Sequence, residues 1–197
     1  MARKTNGLTK ETVDRFVIDA GAVYLNVGEV DERLLGATRG GNEFTIDQDI
    51  KLIEIDGVKG ATMGARRIVE SNATLKVNLL ELTSENIMLA IAGADATDYT
   101  DPSITPAPTG ASHDRIRRTR NISDMDFIKS ISVVGKVSGS AENIIVTIYN
   151  ALSDDSFELA FEDREEGALE ITFTAHYDPE NVEEEPWSID FPKEIGA

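Results

Sequence analysis

Glu43-Phe44-Thr45-Ile46-Asp47-Gln48-Asp49-Ile50-Lys51-Leu52 decides how this chain folds. Phe44, Ile46, Ile50 and Leu52 fall on one parity, and Glu43, Thr45, Asp47, Asp49 and Lys51 on the other. Side chains of a strand alternate between its two faces, so the pattern predicts a strand with one buried and one wet face. Asp56-Gly57 follows, then Val58-Lys59-Gly60-Ala61-Thr62-Met63-Gly64, where closely spaced glycines mark a loop. Beyond it Val69, Ala73, Leu75, Val77 and Leu79 share one parity, while Glu70, Asn72, Thr74, Lys76 and Asn78 share the other. The two halves predict a long antiparallel hairpin with a polar face about ten residues long.

Outward from the hairpin, residues 1–18 are polar and mixed in charge, which predicts a flexible N-terminal arm. Ala22-Val23-Tyr24-Leu25-Asn26-Val27 has the β-branched and aromatic content of a strand. On the other side Thr83 is a good N-cap for a short helix, with Glu85 in its first turn. Leu82 and Ile87 occupy staple positions, Ile87, Ala90 and Ile91 form a packed stripe, and Gly93 is a natural stop. Residues 93–125, with Pro102, Pro106, Pro108 and Gly110, predict a long loop ending in the basic cluster Arg115, Arg117, Arg118 and Arg120. Strands resume around Phe127, Ile131 and Val133, at Ile144, Val146 and Ile148, at Phe157, Leu159 and Phe161, and from Leu169 to Tyr177. Residues 181–197, with Glu183-Glu184-Glu185, Pro186 and Pro192, predict an extended acidic tail. The sum is one mainly β domain over residues 19–180, a β-sandwich or partial barrel of about seven to eight strands with one flanking α-helix.

The net charge of −17 argues against a protein that grips nucleic acid, which needs Lys and Arg against phosphate. With no cysteine there is neither a disulfide framework nor a thiolate metal site. His113 and His176 are the only histidines, too few for a three-histidine site, and neither meets a catalytic motif. Basic residues at the start are followed by no apolar run, against a secretory signal, and no stretch approaches the roughly 18 apolar residues of a membrane span. The glycine loop lacks a Gly-Lys-Ser/Thr ending and opens no helix, so it is not a phosphate cradle. Asp47-Gln48-Asp49 and Asp124-Met125-Asp126 do not continue into a calcium loop. The expectation is a chain without catalytic residues, metal or cofactor.

Thr38-Arg39-Gly40-Gly41-Asn42-Glu43-Phe44, Asp56-Gly57-Val58-Lys59-Gly60 and Leu79-Leu80-Glu81-Leu82-Thr83, in that order, resemble the core of the major tail tube proteins of long-tailed, non-contractile bacteriophages. The stretch from Phe157-Glu158-Leu159 to Phe173-Thr174-Ala175-His176-Tyr177-Asp178 is similar to the same family, and the likeness covers residues 20 to 180. The resemblance implies a sandwich whose copies close into sixfold rings and stack into a tube. Four strands per copy would make an inner barrel of about 24 strands, wider than the 16 to 18 that already leave a water channel.

On this reading Glu43, Asp47, Asp49, Glu70 and Asn78 face the lumen. Their charge would repel DNA, which carries about one negative charge per 1.7 Å, over roughly 8 Å. The loop with Gly57, Val58, Lys59, Gly60, Met63 and Gly64 would stack ring on ring, and Arg115, Arg117, Arg118 and Arg120 would dock on a neighbour's acidic surface. The resemblance implies as partners other copies of the chain, a tape-measure protein, a tail terminator and DNA that passes without specific binding. It implies assembly in a host cytoplasm and residence in the virion tail, with no membrane partner.

Two further readings stay open at this stage. The tube of a contractile tail or secretion system shares the fold. A capsid decoration or carbohydrate-binding sandwich would carry aromatics on an exposed face, whereas aromatics make up only 6% here, mostly on buried parities.

Overall fold

The period-two stretch folds as β3 (Glu43–Leu52) and β4 (Arg66–Leu79), paired antiparallel from Glu43 opposite Lys76 to Leu52 opposite Arg66. The computed structural model describes residues 6–106, 110–159 and 166–193. The remaining described strands and α-helix are β1 (Ala22–Leu25), β2 (Arg33–Leu34), α1 (Ser84–Leu89), β5 (Ala94–Tyr99), β6 (His113–Arg118), β7 (Ile128–Lys136), β8 (Asn143–Ser153), β9 (Leu169–Thr174) and β10 (Trp187–Asp190), with single 3-10 turns at Val13–Arg15 and Asp124–Asp126. Eight of these strands form one antiparallel sheet in the order β2-β1-β7-β8-β9-β4-β3, with β10 added beside β8. The fold is mainly β and fits a sandwich with one helix, as the sequence predicts.

One strand carries the sheet around its corner. β8 pairs with β7 along most of its length, with β10 through residues 145–148, and with β9 only through Leu152 and Ser153. The change of partner falls at Asn150, whose φ is 47°. Asparagine tolerates this left-handed backbone better than most residues. Its Nδ2 donates to the His176 carbonyl at 3.2 Å, and a 3.1 Å bond joins His176 Nδ1 to the Asn150 carbonyl oxygen. The inward faces then enclose Val23, Leu75, Val77, Leu79, Ile131, Ile148, Leu169, Ile171 and Phe173, all essentially sealed from solvent. Each large apolar side chain buried in this way contributes about 1.5–3 kcal/mol. Phe44 and Trp187 close one side of the core, with ring centroids 6.0 Å apart.

Several sequence expectations change here. The first is hairpin parity. Asp49 stands opposite Glu70 but Ile50 opposite Ile68, so Val69 is an extra residue, a β-bulge. Simple alternation puts Ile68 among the polar residues, whereas the bulge returns it to the apolar face beside Ile50. The second is the N-terminal arm. Residues 13–18 lie along the end of β7, with Ser138 N–H donating to Phe16 at 2.9 Å and Gly139 N–H to Asp14 at 2.8 Å. The two segments must pass close, since a Cβ on Gly139 would stand 2.4 Å from that of Asp14.

The third is the 93–125 segment, which contains a two-stranded ribbon of β5 and β6 in addition to loop. Gly93 sits beyond the end of α1 and does not cap it. Its φ is 72°, and an added Cβ would stand 2.6 Å from the Arg120 carbonyl oxygen. The fourth is the acidic tail, which crosses back as a strap and forms β10. Of the expected strand at Phe157, Leu159 and Phe161, Leu159 bridges to Leu169, while Phe161 lies outside the described residues.

The helix begins as the sequence predicts, with Thr83 Oγ1 accepting from Asn86 N–H at 3.1 Å. Its most buried side chain is polar. Asn86 Nδ2 donates to the carbonyls of Leu35 and Glu81, each at 3.0 Å, and so ties the helix to the chain leaving β2.

Candidate assembly surface

The register of β3 with β4 and of β4 with β9 defines a polar sheet face. Glu43, Asp47, Asp49 and Glu70 all lie on it and are exposed. Asn78 shares the face but is half-buried, and its Nδ2 donates to the Gly41 carbonyl at 3.1 Å, holding the entry loop. The register confirms Lys51 and Lys76 of the polar parity on this face and adds Arg67 and Glu170, which the sequence reading did not assign to it. Lys76 meets Glu170 of β9 at 2.8 Å, and Lys51 stands opposite Arg67. The hydrogen bond to Glu170, aided by Glu43 and Asp155 nearby, holds the Lys76 ammonium above its ordinary pKa. The face is therefore mixed in sign, with acid dominant toward its middle.

Beyond Ile46 and Ser71 the hairpin leaves the core. From Asp47 to Glu70 every side chain except Ala65 is exposed, on both faces. The apolar parity thus continues into solvent as Ile50 (48% exposed) and Ile68 (55%), and at the tip as Ile53, Ile55, Val58 and a fully exposed Met63. The expected loop residues Gly57, Val58, Lys59, Gly60, Met63 and Gly64 occupy that tip, with Gly57 and Gly64 both at φ 84°. A hairpin arm with this much uncovered apolar surface is characteristic of a site that meets another molecule.

The root of the arm is gripped by the C-terminal strap. Glu185 Oε2 accepts from Ser71 Oγ at 3.2 Å, Tyr177 OH at 3.1 Å and Trp187 Nε1 at 3.2 Å. Burial, then the neighbouring Glu185, pushes the Tyr177 hydroxyl pKa up.

The four arginines of the basic cluster separate in function. Arg120 is spent inside the fold, 2.5 Å from Asp126 and 3.7 Å from Asp95. Asp126 also accepts from the Ser123 backbone and hydroxyl in a capping box, and its carboxyl is held well below the usual range, chiefly by Arg120. Arg118 Nε donates to the Ala92 carbonyl at 3.0 Å. Arg115 stacks on the Tyr99 ring, 3.4 Å from its centroid. The Arg117 side chain, exposed on the ribbon, has no hydrogen bond, ion pair or ring contact among the described residues. No cluster of four free cations exists, because Asp95 and Asp126 have taken one of them.

The two histidines outside this surface are engaged locally. Ser112 Oγ lies 2.7 Å from His113 Nδ1, but it also bonds Tyr99 O and Asp101 N and closes the ribbon. His176 packs edge-on against Phe127, 5.1 Å between centroids, beside an open cleft of about 440 Å³ with Asp124, Asn150 and Asp178. Among the described residues no group of three or more acidic or histidine side chains is arranged to hold a metal ion. No helix among them is long and apolar enough to cross a membrane.

No protein-family model matches this sequence, and no curated protein matches it.

Proposed function

We propose that this chain is a structural subunit of a viral tail tube, self-assembling into stacked, sixfold rings around a channel for DNA delivery. The observation that carries the reading is the β3–β4 hairpin. Its wet face is a continuous polar wall, and its distal half exposes apolar side chains that nothing within the described chain covers. A monomer gains nothing from such an arm, whereas an assembly that buries it gains about 25 cal/mol per Å² of apolar surface. Ring closure would also cover the free edge of β3, which otherwise invites uncontrolled pairing.

In this reading Glu43, Asp47, Asp49 and Glu70 line the lumen, where acid keeps DNA from adhering, and the Gly57–Gly64 tip meets the adjacent ring. Arg117 and the stacked Arg115 are the cations of the basic cluster left to meet a neighbour. A tape-measure protein inside the tube and a terminator at its end would be its partners in the virion tail. The test is negative-stain electron microscopy of concentrated protein left to stand. Hollow rings or tubes are expected. Compact particles without a channel, at every concentration up to the solubility limit, would overturn the reading.

A further inference from the structure

β3 is the last strand of the sheet, so its outer edge carries unpaired N–H and C=O groups. The charges on the arm are arranged in an unusual way. Asp49 stands directly opposite Glu70, and Lys51 directly opposite Arg67, all four on one face and all exposed. Like charges directly opposite each other destabilise a strand pair. The two rungs have opposite signs and are two residues apart. Among the described residues none of these four side chains has an ion-pair partner.

Asp49-Ile50-Lys51 is complementary to itself when read antiparallel. We propose that two copies of this chain pair their arms edge to edge, β3 against β3, about a twofold axis at Ile50. Asp49 then lies opposite Lys51 of the second copy, and Lys51 opposite its Asp49. The acidic rung of Asp49 and Glu70 meets the basic rung of Lys51 and Arg67 twice over. Ile50 meets its own symmetry mate on the other face, where Ile68 and Leu52 extend the contact. The free edge of β3 gains a ladder. A shift of one residue in either direction would bring each apolar side chain against the wrong face, so the register is fixed by face as well as charge. The pairing needs the arm alone and holds whether or not the chain builds a tube. In a tube-forming chain it covers the edge that ring closure uses, and so keeps subunits apart until assembly begins.

The test uses the full chain in analytical ultracentrifugation at low salt. The wild type is expected to dimerise, and Asp49→Lys and Lys51→Asp are each expected to weaken the dimer on the order of tenfold or more, since two exposed pairs turn repulsive. An equimolar mixture of the two variants should recover association, because each then offers the charges the other lacks. The chain has no cysteine, so Ile50→Cys gives a single thiol. Opposed residues in an antiparallel pair lie about 4.5–5.5 Å apart between Cα atoms, within disulfide reach. A disulfide-linked dimer is expected on mild oxidation. A wild type that stays monomeric, single variants that associate as the wild type does, or a mixture that stays apart would each overturn the proposal.

Discussion

Replacing Asn86 by alanine removes the side chain that ties α1 to the chain around Leu35. The amide donates to two backbone carbonyls at 3.0 Å, and the site is 1% exposed, so water does not replace those donors. Two such bonds are together worth about 2–3 kcal/mol. A smaller term opposes the loss. Asn86 Oδ1 is itself buried with no partner among the described residues, and removing it recovers about 1 kcal/mol. The net expectation is a destabilisation of about 1–2 kcal/mol, or a fall in Tm of roughly 2–8 °C for a domain of this size. Urea unfolding followed by circular dichroism measures it, with an unchanged m-value showing that the unfolded state is the same. Asn86→Asp should cost more, because a carboxylate would face both carbonyls and donate to neither. A loss below about 0.5 kcal/mol for alanine, or an aspartate variant as stable as the wild type, would show that the two bonds do not hold the helix.

The Arg120–Asp126 pair makes a pH prediction. The folded carboxyl lies below its unfolded pKa of about 3.9, so its contribution is present above that pH and lost as pH falls below it. The stability difference between wild type and Asp126→Asn should therefore shrink as unfolding is measured from pH 6 down toward pH 2. A difference constant with pH would remove the ion pair as its cause. Glu185→Ala should release the strap from the arm root at a cost of about 1 kcal/mol. Because Trp187 is the only tryptophan, its emission reports the change directly, with a red shift expected and an unchanged spectrum counting against the grip.

The hairpin was legible in the sequence because alternation over ten residues has one structural solution when one face is buried. The helix start was legible because Thr83 satisfies a backbone donor by itself. The Val69 bulge was not, since a single extra residue leaves local parity intact and reveals itself only against the partner strand. β5 and β6 were hidden by composition. Ala94-Asp95-Ala96-Thr97-Asp98-Tyr99 and His113-Asp114-Arg115-Ile116-Arg117-Arg118 are rich in charge and poor in branched apolar residues, and they pair across a proline-bearing connection. β10 lay behind Glu183-Glu184-Glu185-Pro186, whose charge signals a tail until Glu185 is seen to accept three hydrogen bonds. At the candidate surface, the parity of the acids was readable. So was the parity of Lys51 and Lys76, but the arrival of Glu170 beside Lys76 and the capture of Arg120 by Asp95 depend on contacts between segments well apart in sequence.

β8 belongs to both halves of the sheet, turning at Asn150 without a break in the chain. A load applied to the arm passes from β4 to β9, across β8 to β7 and into β1 through hydrogen bonds and one unbroken backbone. The two layers therefore cannot shear past each other without tearing a ladder. The molecule should behave under tension as a bent plate with one stiff crease, and its weakest seam should be the two-residue contact of Leu152 and Ser153 with β9.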